Sequence, residues 1–140
     1  MPGLNNVTRM IAKPLPRVLS PRAHAAADCL RIGIYLAGAG WFWKRNRRAA
    51  VAALACAGAE TALVLLTDYD GRSGKEISFR SHRSLDLGLA SMAAAMPGLL
   101  SFEREPARKL FLAQGALSTG IIELTQFGER NGSSRRRVPA

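Results

Sequence analysis

Six polar residues stand inside or beside otherwise apolar stretches of this chain, and their types could do chemistry there. They are Asp28, Arg31, Glu60, His82, Asp86 and Glu123. His82 and Asp86 are four positions apart, so a helix would bring both side chains to one face. An aspartate that accepts a hydrogen bond from an imidazole is a common orienting pair, and such a pair can also bind a metal. Two ligands do not make a metal site, and no third is identifiable. We therefore expect a structural hydrogen bond where a helix begins.

The acids within the apolar stretches raise the question of an ion or proton path, because carboxylates are costly inside a membrane. Asp28 and Arg31 are three positions apart and can pair on one helix face. Each acid can also be neutral, or hydrogen-bonded between helices, and serve packing alone. We favour packing, and keep as the alternative a small transporter or ion-conducting oligomer that uses Glu60 and Glu123.

No catalytic motif accompanies these residues. Asp68, Asp70 and Gly71 resemble the start of a calcium-binding loop, but the later ligands and the closing glutamate are missing, so they indicate a turn. Ser84 is a candidate N-cap for a helix that follows it. The sequence contains no nucleophile elbow, phosphate-binding loop, zinc-protease motif or dinucleotide fingerprint. We expect no enzyme activity and no catalytic, cofactor-binding or metal-binding residue.

Four apolar segments must position the polar residues: 25–43, 49–67, 84–102 and 110–127. Each is close to the roughly 20 residues that cross a bilayer core, and none alternates apolar and polar residues as a strand would. The first two are joined by the short KRNRR loop, and the last two by another short loop. This pattern predicts an all-α fold, a four-helix transmembrane bundle built from two helical hairpins. The halves show no convincing sequence repeat.

The net charge of +10 is concentrated beside the apolar segments instead of along one helix face. That placement favours membrane topology signals over a nucleic-acid surface. Residues 1–24 form a basic, proline-containing arm that we expect to be disordered or to lie at the membrane interface, 25–127 form the membrane domain, and 128–140 form a basic disordered tail. The alternative is a soluble basic helical bundle that binds nucleic acid.

Aromatic and small residues support the membrane interpretation. Trp41 and Trp43 end the first segment, as in the aromatic belts of membrane helices. Small residues recur at a spacing of four, which lets helices approach closely in lipid and predicts contacts with the bilayer, with a second copy or with another membrane protein. These pairs are Gly33 and Ala37, Ala53 and Ala57, Gly115 and Thr119, and Ala116 and Gly120. Cys29 and Cys56 lie within apolar segments and are expected to be unpaired.

The central stretch resembles a group of small bacterial integral membrane proteins. The sequence TDYDG, the spacing His82-x3-Asp86 and the Pro97-centred AMPGLLSF are similar to the charged turn and following helix of proteins named for SPW repeats. The match covers about 36 residues, and Met96, Pro97 and Gly98 stand where that signature has Ser-Pro-Trp. The resemblance implies a multi-pass inner-membrane protein and supplies no activity.

Taken together, the sequence predicts a small integral membrane protein with a structural, accessory or partner-binding role, in a bacterial inner membrane. Lysines and arginines outside the segments number twelve on the side of the arm, central loop and tail, and seven on the other side. The positive-inside rule then predicts that both termini are cytoplasmic.

Overall fold

The computed structural model describes residues 16–128 of the chain. Residues 1–15 and 129–140 lie outside it, and with them most of the predicted basic arm and nearly all of the predicted basic tail. The expectation that these two segments are disordered or interfacial therefore lies outside the described residues.

Four helices make up the described part of the chain, and they confirm the all-α prediction. They are α1 Pro21–Phe42, α2 Arg47–Leu66, α3 Phe79–Leu99 and α4 Arg108–Leu124. Helix α1 packs on α2 and α3 packs on α4, which gives the two predicted hairpins. Contacts of α2 with α3 and of α1 with α4 close the bundle.

Capping side chains explain where the helices begin. The hydroxyl of Ser20 accepts a hydrogen bond from Ala23 N at 3.2 Å, and Pro21 occupies the first turn, where its missing N–H costs nothing. Ser78 caps α3 in the same way, accepting from Ser81 N at 3.1 Å. Both helices therefore begin with a serine whose side chain satisfies a free backbone amide.

These caps correct two predicted helix starts. Helix α3 begins at Phe79, five residues before the predicted segment 84–102, and Ser84 lies within the helix instead of capping it. Helix α1 begins at Pro21, so the predicted arm 1–24 includes the first turn of a helix. The polar character of both first turns made them look like loop, whereas the caps and the buried polar side chains keep them helical.

Short backbone pairings join the ends of the helices to the segments before α1 and α3. Strand β1, Thr67–Asp68, pairs in parallel with β2, Ile77–Ser78. In the same way, Leu19 before α1 forms an isolated parallel bridge with Thr125 after α4. The described end of the arm is thus held against the end of α4.

Small side chains fill most of the interior. Ala53 and Ala57 of α2 are buried, as their spacing predicted. Gly115 of α4 lies so close to α3 that a Cβ atom there would be 3.0 Å from the carbonyl oxygen of Ala90. Gly33 and Ala37, by contrast, face outward. The larger core side chains are aromatic: Tyr35, Phe102 and Phe111.

Among the described helices, α2 alone is long and apolar enough by composition to cross a membrane, with a mean hydropathy of 2.0. The other three helices carry polar side chains that lower their hydropathy, several of them buried. The prediction of four spans therefore stays a prediction. Cys29 is exposed and Cys56 buried, and both thiols, which lie in the described part, are free.

Candidate functional site: a buried His–Asp cluster

Four buried side chains meet where α1 and α3 begin. His24 and Asp28 are one turn apart on α1, and His82 and Asp86 are one turn apart on α3. Because residues four apart share a helix face, each helix presents one imidazole and one carboxylate to the other. All four residues are at most 2 % exposed. We call them the His–Asp cluster.

The polar atoms of the cluster converge on one point. Nε2 of His24 lies 3.2 Å from Nε2 of His82. Oδ2 of Asp28 is 3.5 Å from the first of these nitrogens and 3.3 Å from the second. Oδ2 of Asp86 is 3.5 Å from Nε2 of His24. One ligand atom from each residue lies within 4.8 Å of all the others, so the cluster can share protons or hold a metal ion.

Two threonines set the orientation of the imidazoles. Nδ1 of His24 lies 2.7 Å from Oγ1 of Thr125, and Nδ1 of His82 lies 2.9 Å from Oγ1 of Thr67. Each threonine hydroxyl donates its single proton to the backbone carbonyl four residues earlier, at 2.6 Å. Each hydroxyl can therefore only accept from the histidine, so Nδ1 carries a proton and Nε2 is the ring nitrogen directed into the cluster.

Arg31 is the only cation that touches the acids among the described side chains of this site. Its Nη1 donates to Oδ1 of Asp28 at 3.2 Å and to Oδ1 of Asp86 at 3.1 Å. Its Nη2 donates to Oε1 of Glu60. Arg31 and Glu60 are 1 % and 4 % exposed. Since a buried charge is tolerated only when it is paired, these three acids and the guanidinium depend on one another.

Further contacts hold the two aspartates in place. Ser118 of α4 donates its hydroxyl proton to Oδ1 of Asp86 at 3.1 Å. The phenol of Tyr69 donates to Oδ2 of Asp28 at 3.0 Å. Burial and the neighbouring charge of Asp28 raise the pKa of Tyr69, so its hydroxyl stays protonated and remains a donor. The aromatic rings of Phe79 and Phe127 complete the surroundings of His24.

The two hairpins repeat one another at the cluster. His82 follows His24 by 58 positions, and the same separation relates several other residues. These pairs are Ser20 and Ser78, Arg22 and Arg80, Asp28 and Asp86, and Thr67 and Thr125. The motif Ser-x-Arg-x-His-x3-Asp thus begins both α1 and α3. The backbone bridges repeat as well, Leu19 with Thr125 and Ile77 with Thr67. The expectation that the halves show no repeat is wrong.

Five of the six predicted polar positions meet in this site: Asp28, Arg31, Glu60, His82 and Asp86. The expected pairing of Asp28 with Arg31 is confirmed at 3.2 Å. Glu123 is not part of the site, because it lies on the surface and pairs with Arg83 at 3.5 Å. The predicted turn at Asp68 is also confirmed, since this carboxylate accepts from the amides of Arg72 and Gly74.

Sequence reasoning missed the residues that complete the site. The predicted arm 1–24 contains His24, and Thr67 and Thr125 lie within the predicted apolar segments 49–67 and 110–127. The repeated motif is the signal that could have found His24, since it offers the third and fourth ligands next to His82 and Asp86. The threonines carry no comparable local signal, because their role depends on contacts between hairpins.

No protein family, no curated protein and no solved structure was found to match this chain.

Proposed function

We propose that the chain is a small integral membrane protein whose four helices form a transmembrane bundle with a structural, accessory or partner-binding role. The observation that carries this proposal is the distribution of polarity. Large apolar side chains point outward along all four helices, with Leu30, Leu65 and Leu99 each about 65 % exposed or slightly more. Apolar surface of this extent is disfavoured in water and favoured in lipid.

The buried side chains of the bundle support the same proposal. The buried residues include charged and polar side chains from α1, α2, α3 and α4: Asp28, Arg31, Glu60, Asp86, Gln114 and Ser118. Polar residues of membrane helices characteristically face the bundle interior and pair there with one another. Large outward apolar side chains around a polar centre are the reverse of what a soluble four-helix bundle needs.

The end of α1 has the features of a membrane–water interface. Trp41 and Trp43 are 63 % and 42 % exposed. The guanidinium of Arg45 lies 4.1 Å from the ring centroid of Trp41, and that of Arg47 lies 4.4 Å from the ring of Trp43. Tryptophan rings covered by arginines suit the headgroup region, where an apolar ring and a charge are both accommodated.

For the role itself, we propose that the polar centre, formed by the His–Asp cluster with Arg31 and Glu60, fixes the two hairpins in one arrangement. The outer faces of the helices contact lipid and partner helices. The resemblance to SPW-repeat proteins is compatible with this role and remains a proposal. A transporter that needs both Glu60 and Glu123 gains no support from the surface ion pair of Glu123 with Arg83.

Membrane fractionation tests this proposal. The full-length chain, expressed with a purification tag that contains no histidine, should remain with the membranes after alkaline carbonate washing and require detergent for extraction. Recovery as a soluble monomer without detergent would overturn the proposal and favour the soluble, nucleic-acid-binding alternative. Direct binding of that soluble protein to labelled DNA and RNA would then test the alternative.

We also propose a bacterial inner-membrane location with both termini in the cytoplasm, on the basis of twelve lysines and arginines against seven. Reporter fusions after Ala140 and within the loop that contains Arg45 should report opposite sides. A fusion after Ala140 that is active only in the periplasm would mean that the KRNRR loop sets the orientation.

A further inference from the structure

We propose that His24, Asp28, His82 and Asp86 bind one divalent first-row transition-metal ion, for which Zn²⁺ is the probe. Two nitrogen and two oxygen ligands are a donor set that such ions accept. Two ligands come from α1 and two from α3. The inference does not depend on whether the bundle spans a membrane, and it departs from the expectation, made from the sequence, that no residue binds a metal.

The distances between ligand atoms fit a tetrahedral ion. Zinc–nitrogen and zinc–oxygen bonds of ~2.0–2.1 Å place the corners of a tetrahedron about 3.3 Å apart. The separation between the two Nε2 atoms is 3.2 Å. Those from Oδ2 of Asp28 to the two nitrogens are 3.5 and 3.3 Å, and that from Oδ2 of Asp86 to Nε2 of His24 is 3.5 Å. Four of the six edges therefore already have the required length.

The hydrogen bonds of the two histidines leave their Nε2 atoms directed into the proposed metal site. Thr125 and Thr67 accept from the Nδ1 atoms, so each Nε2 atom is free to offer a lone pair, and the two Nε2 atoms face one another at 3.2 Å. Opposed lone pairs repel unless a cation lies between them. An outer partner that fixes the tautomer and the ring plane is the usual support of a histidine that binds a metal.

Charge and unsatisfied polarity point to the same ligand. The three acids Asp28, Glu60 and Asp86 face one guanidinium, so among these described side chains Arg31 alone does not balance the acids. A divalent cation balances them. Within residues 16–128, Oδ2 of Asp86 is buried and accepts no hydrogen bond, although it is directed at Nε2 of His24. A buried acceptor of this kind requires a partner.

A surface cavity lies next to the cluster. A cavity of about 450 Å³ is lined by Ser20, Thr67, Tyr69 and Lys75, among others. Tyr69 lies between this cavity and the cluster, since its hydroxyl is 3.0 Å from Oδ2 of Asp28. The cavity and the cluster thus share Tyr69 as a common wall.

Metal binding can be measured directly because the chain has two histidines, both in the cluster. The detergent-purified full chain, bearing a tag without histidine, is treated with a chelator and titrated with Zn²⁺ by calorimetry. One ion per chain is expected. His24→Ala and His82→Ala should each weaken binding by at least ~100-fold, and Thr67→Val, which removes an orienting partner, by roughly 10–100-fold. Glu123→Gln, an exposed acid on α4, is the matched control and should bind as the unmodified chain does.

Cobalt supplies a readout that a structural role would not produce. Co²⁺ added to the metal-free chain should give the visible absorption bands of a tetrahedral complex. His82→Cys replaces a nitrogen ligand by a thiolate and should add a sulfur-to-cobalt charge-transfer band, provided that helicity is retained by circular dichroism. This variant carries the test if the alanine variants fail to fold.

The proposal is overturned if the unmodified chain binds no more Zn²⁺ than the His24→Ala/His82→Ala double variant, or if folded His82→Cys gives no charge-transfer band with Co²⁺. Either result would leave a cluster that holds protons only. Because fractionation and metal binding are independent measurements, failure here does not affect the proposed membrane location.

Discussion

Nδ1 of His24 lies 2.7 Å from Oγ1 of Thr125, although 101 positions separate the two residues in the chain. Nδ1 of His82 makes the corresponding contact with Thr67 at 2.9 Å. Each histidine is thus held by the threonine that ends the other hairpin. The polar centre joins the two hairpins and does not belong to either of them alone.

We therefore expect Thr125→Val to destabilise the bundle by about 1–3 kcal/mol, because it leaves the buried Nδ1–H of His24 without its acceptor. Denaturant-induced unfolding of the detergent-solubilised protein, followed by circular dichroism, measures the change. Thr119→Val is the matched control, since the Thr119 hydroxyl only bonds back to Gly115 O within α4. Equal losses in the two variants would contradict the role assigned to Thr125.

Removal of the guanidinium should have a larger effect. Arg31→Met leaves the buried carboxylates of Asp28, Glu60 and Asp86 without their cation, and breaking a buried ion pair from one side costs about 3–5 kcal/mol. The free energy of unfolding, measured in the same way, should fall accordingly. Arg104→Met, at an exposed position, should change it by less than about 0.5 kcal/mol.

A second substitution checks the electrostatic cause of that loss. Glu60→Gln removes one of the negative charges that Arg31 balances, so it should restore part of the stability when added to Arg31→Met. If the double variant is less stable than Arg31→Met alone, the loss came from packing around the side chain and not from unpaired charge.

Close packing of α3 on α4 gives a steric prediction. Gly115→Ala would place a Cβ atom 3.0 Å from the backbone oxygen of Ala90 and 3.4 Å from Cβ of Ala94, so the helices would have to separate. We expect a loss of about 1–3 kcal/mol in the free energy of unfolding. Gly120→Ala, on the same helix, meets no described atom within 4 Å and should cause no loss, since alanine favours helix by up to ~1 kcal/mol.

The loop after α2 should resist acid. Desolvation acts to raise the pKa of Asp68, but hydrogen bonds from Ser73 and Gly74 outweigh it and lower the pKa to about 2. Because the folded-state value lies below the ordinary 3.8, the loop gains stability from this carboxylate at neutral pH and loses it only as the pH falls below about 4 toward 2.

Acid titration by NMR measures this effect at the amides of Ser73 and Gly74. Their chemical shifts should titrate with a midpoint near 2. Asp68→Asn should abolish the transition. A midpoint close to 3.8, the ordinary value for an aspartate, would mean that the hydrogen bonds to the loop amides do not hold in solution.

Hydropathy and segment length were sufficient to predict the helices and their pairing in hairpins. They failed at the starts of α1 and α3, because the first turns are polar and resemble loop. Pro21 in particular falls in the predicted arm 1–24, whereas it occupies the first turn of α1. A proline is compatible with that position because no backbone amide is needed there.

The sequence identified the acids of the candidate site and one of its two histidines. It did not predict that these residues come together in one cluster. His82 and Asp86 share a helix face as their spacing predicts, but the hydrogen bond expected between them is not among the described contacts. His82 instead lies 2.9 Å from Thr67 and 3.3 Å from Asp28, and Asp86 lies 3.5 Å from His24. The predicted hairpins already place the starts of α1 and α3 at one end, but the approach of His24 to His82 across the bundle is specified by no local pattern. Arg31 was assigned to Asp28 alone, since its contacts with Glu60 and Asp86 cross to two other helices.

The repeat at 58 positions has a consequence for how such a bundle can arise. One hairpin bearing Ser-x-Arg-x-His-x3-Asp and a terminal threonine could assemble the same centre by pairing with an identical copy, which is the pattern that duplication and fusion would leave. Two positions do not match in the repeat: Leu89 is the residue 58 positions after Arg31, and Ser118 is the residue 58 positions after Glu60. A symmetric pair would bring two guanidiniums into the space that one now fills. Joining the halves in a single chain allows the buried cluster to keep one arginine, and thus to be asymmetric, whereas a homodimer would have to be symmetric.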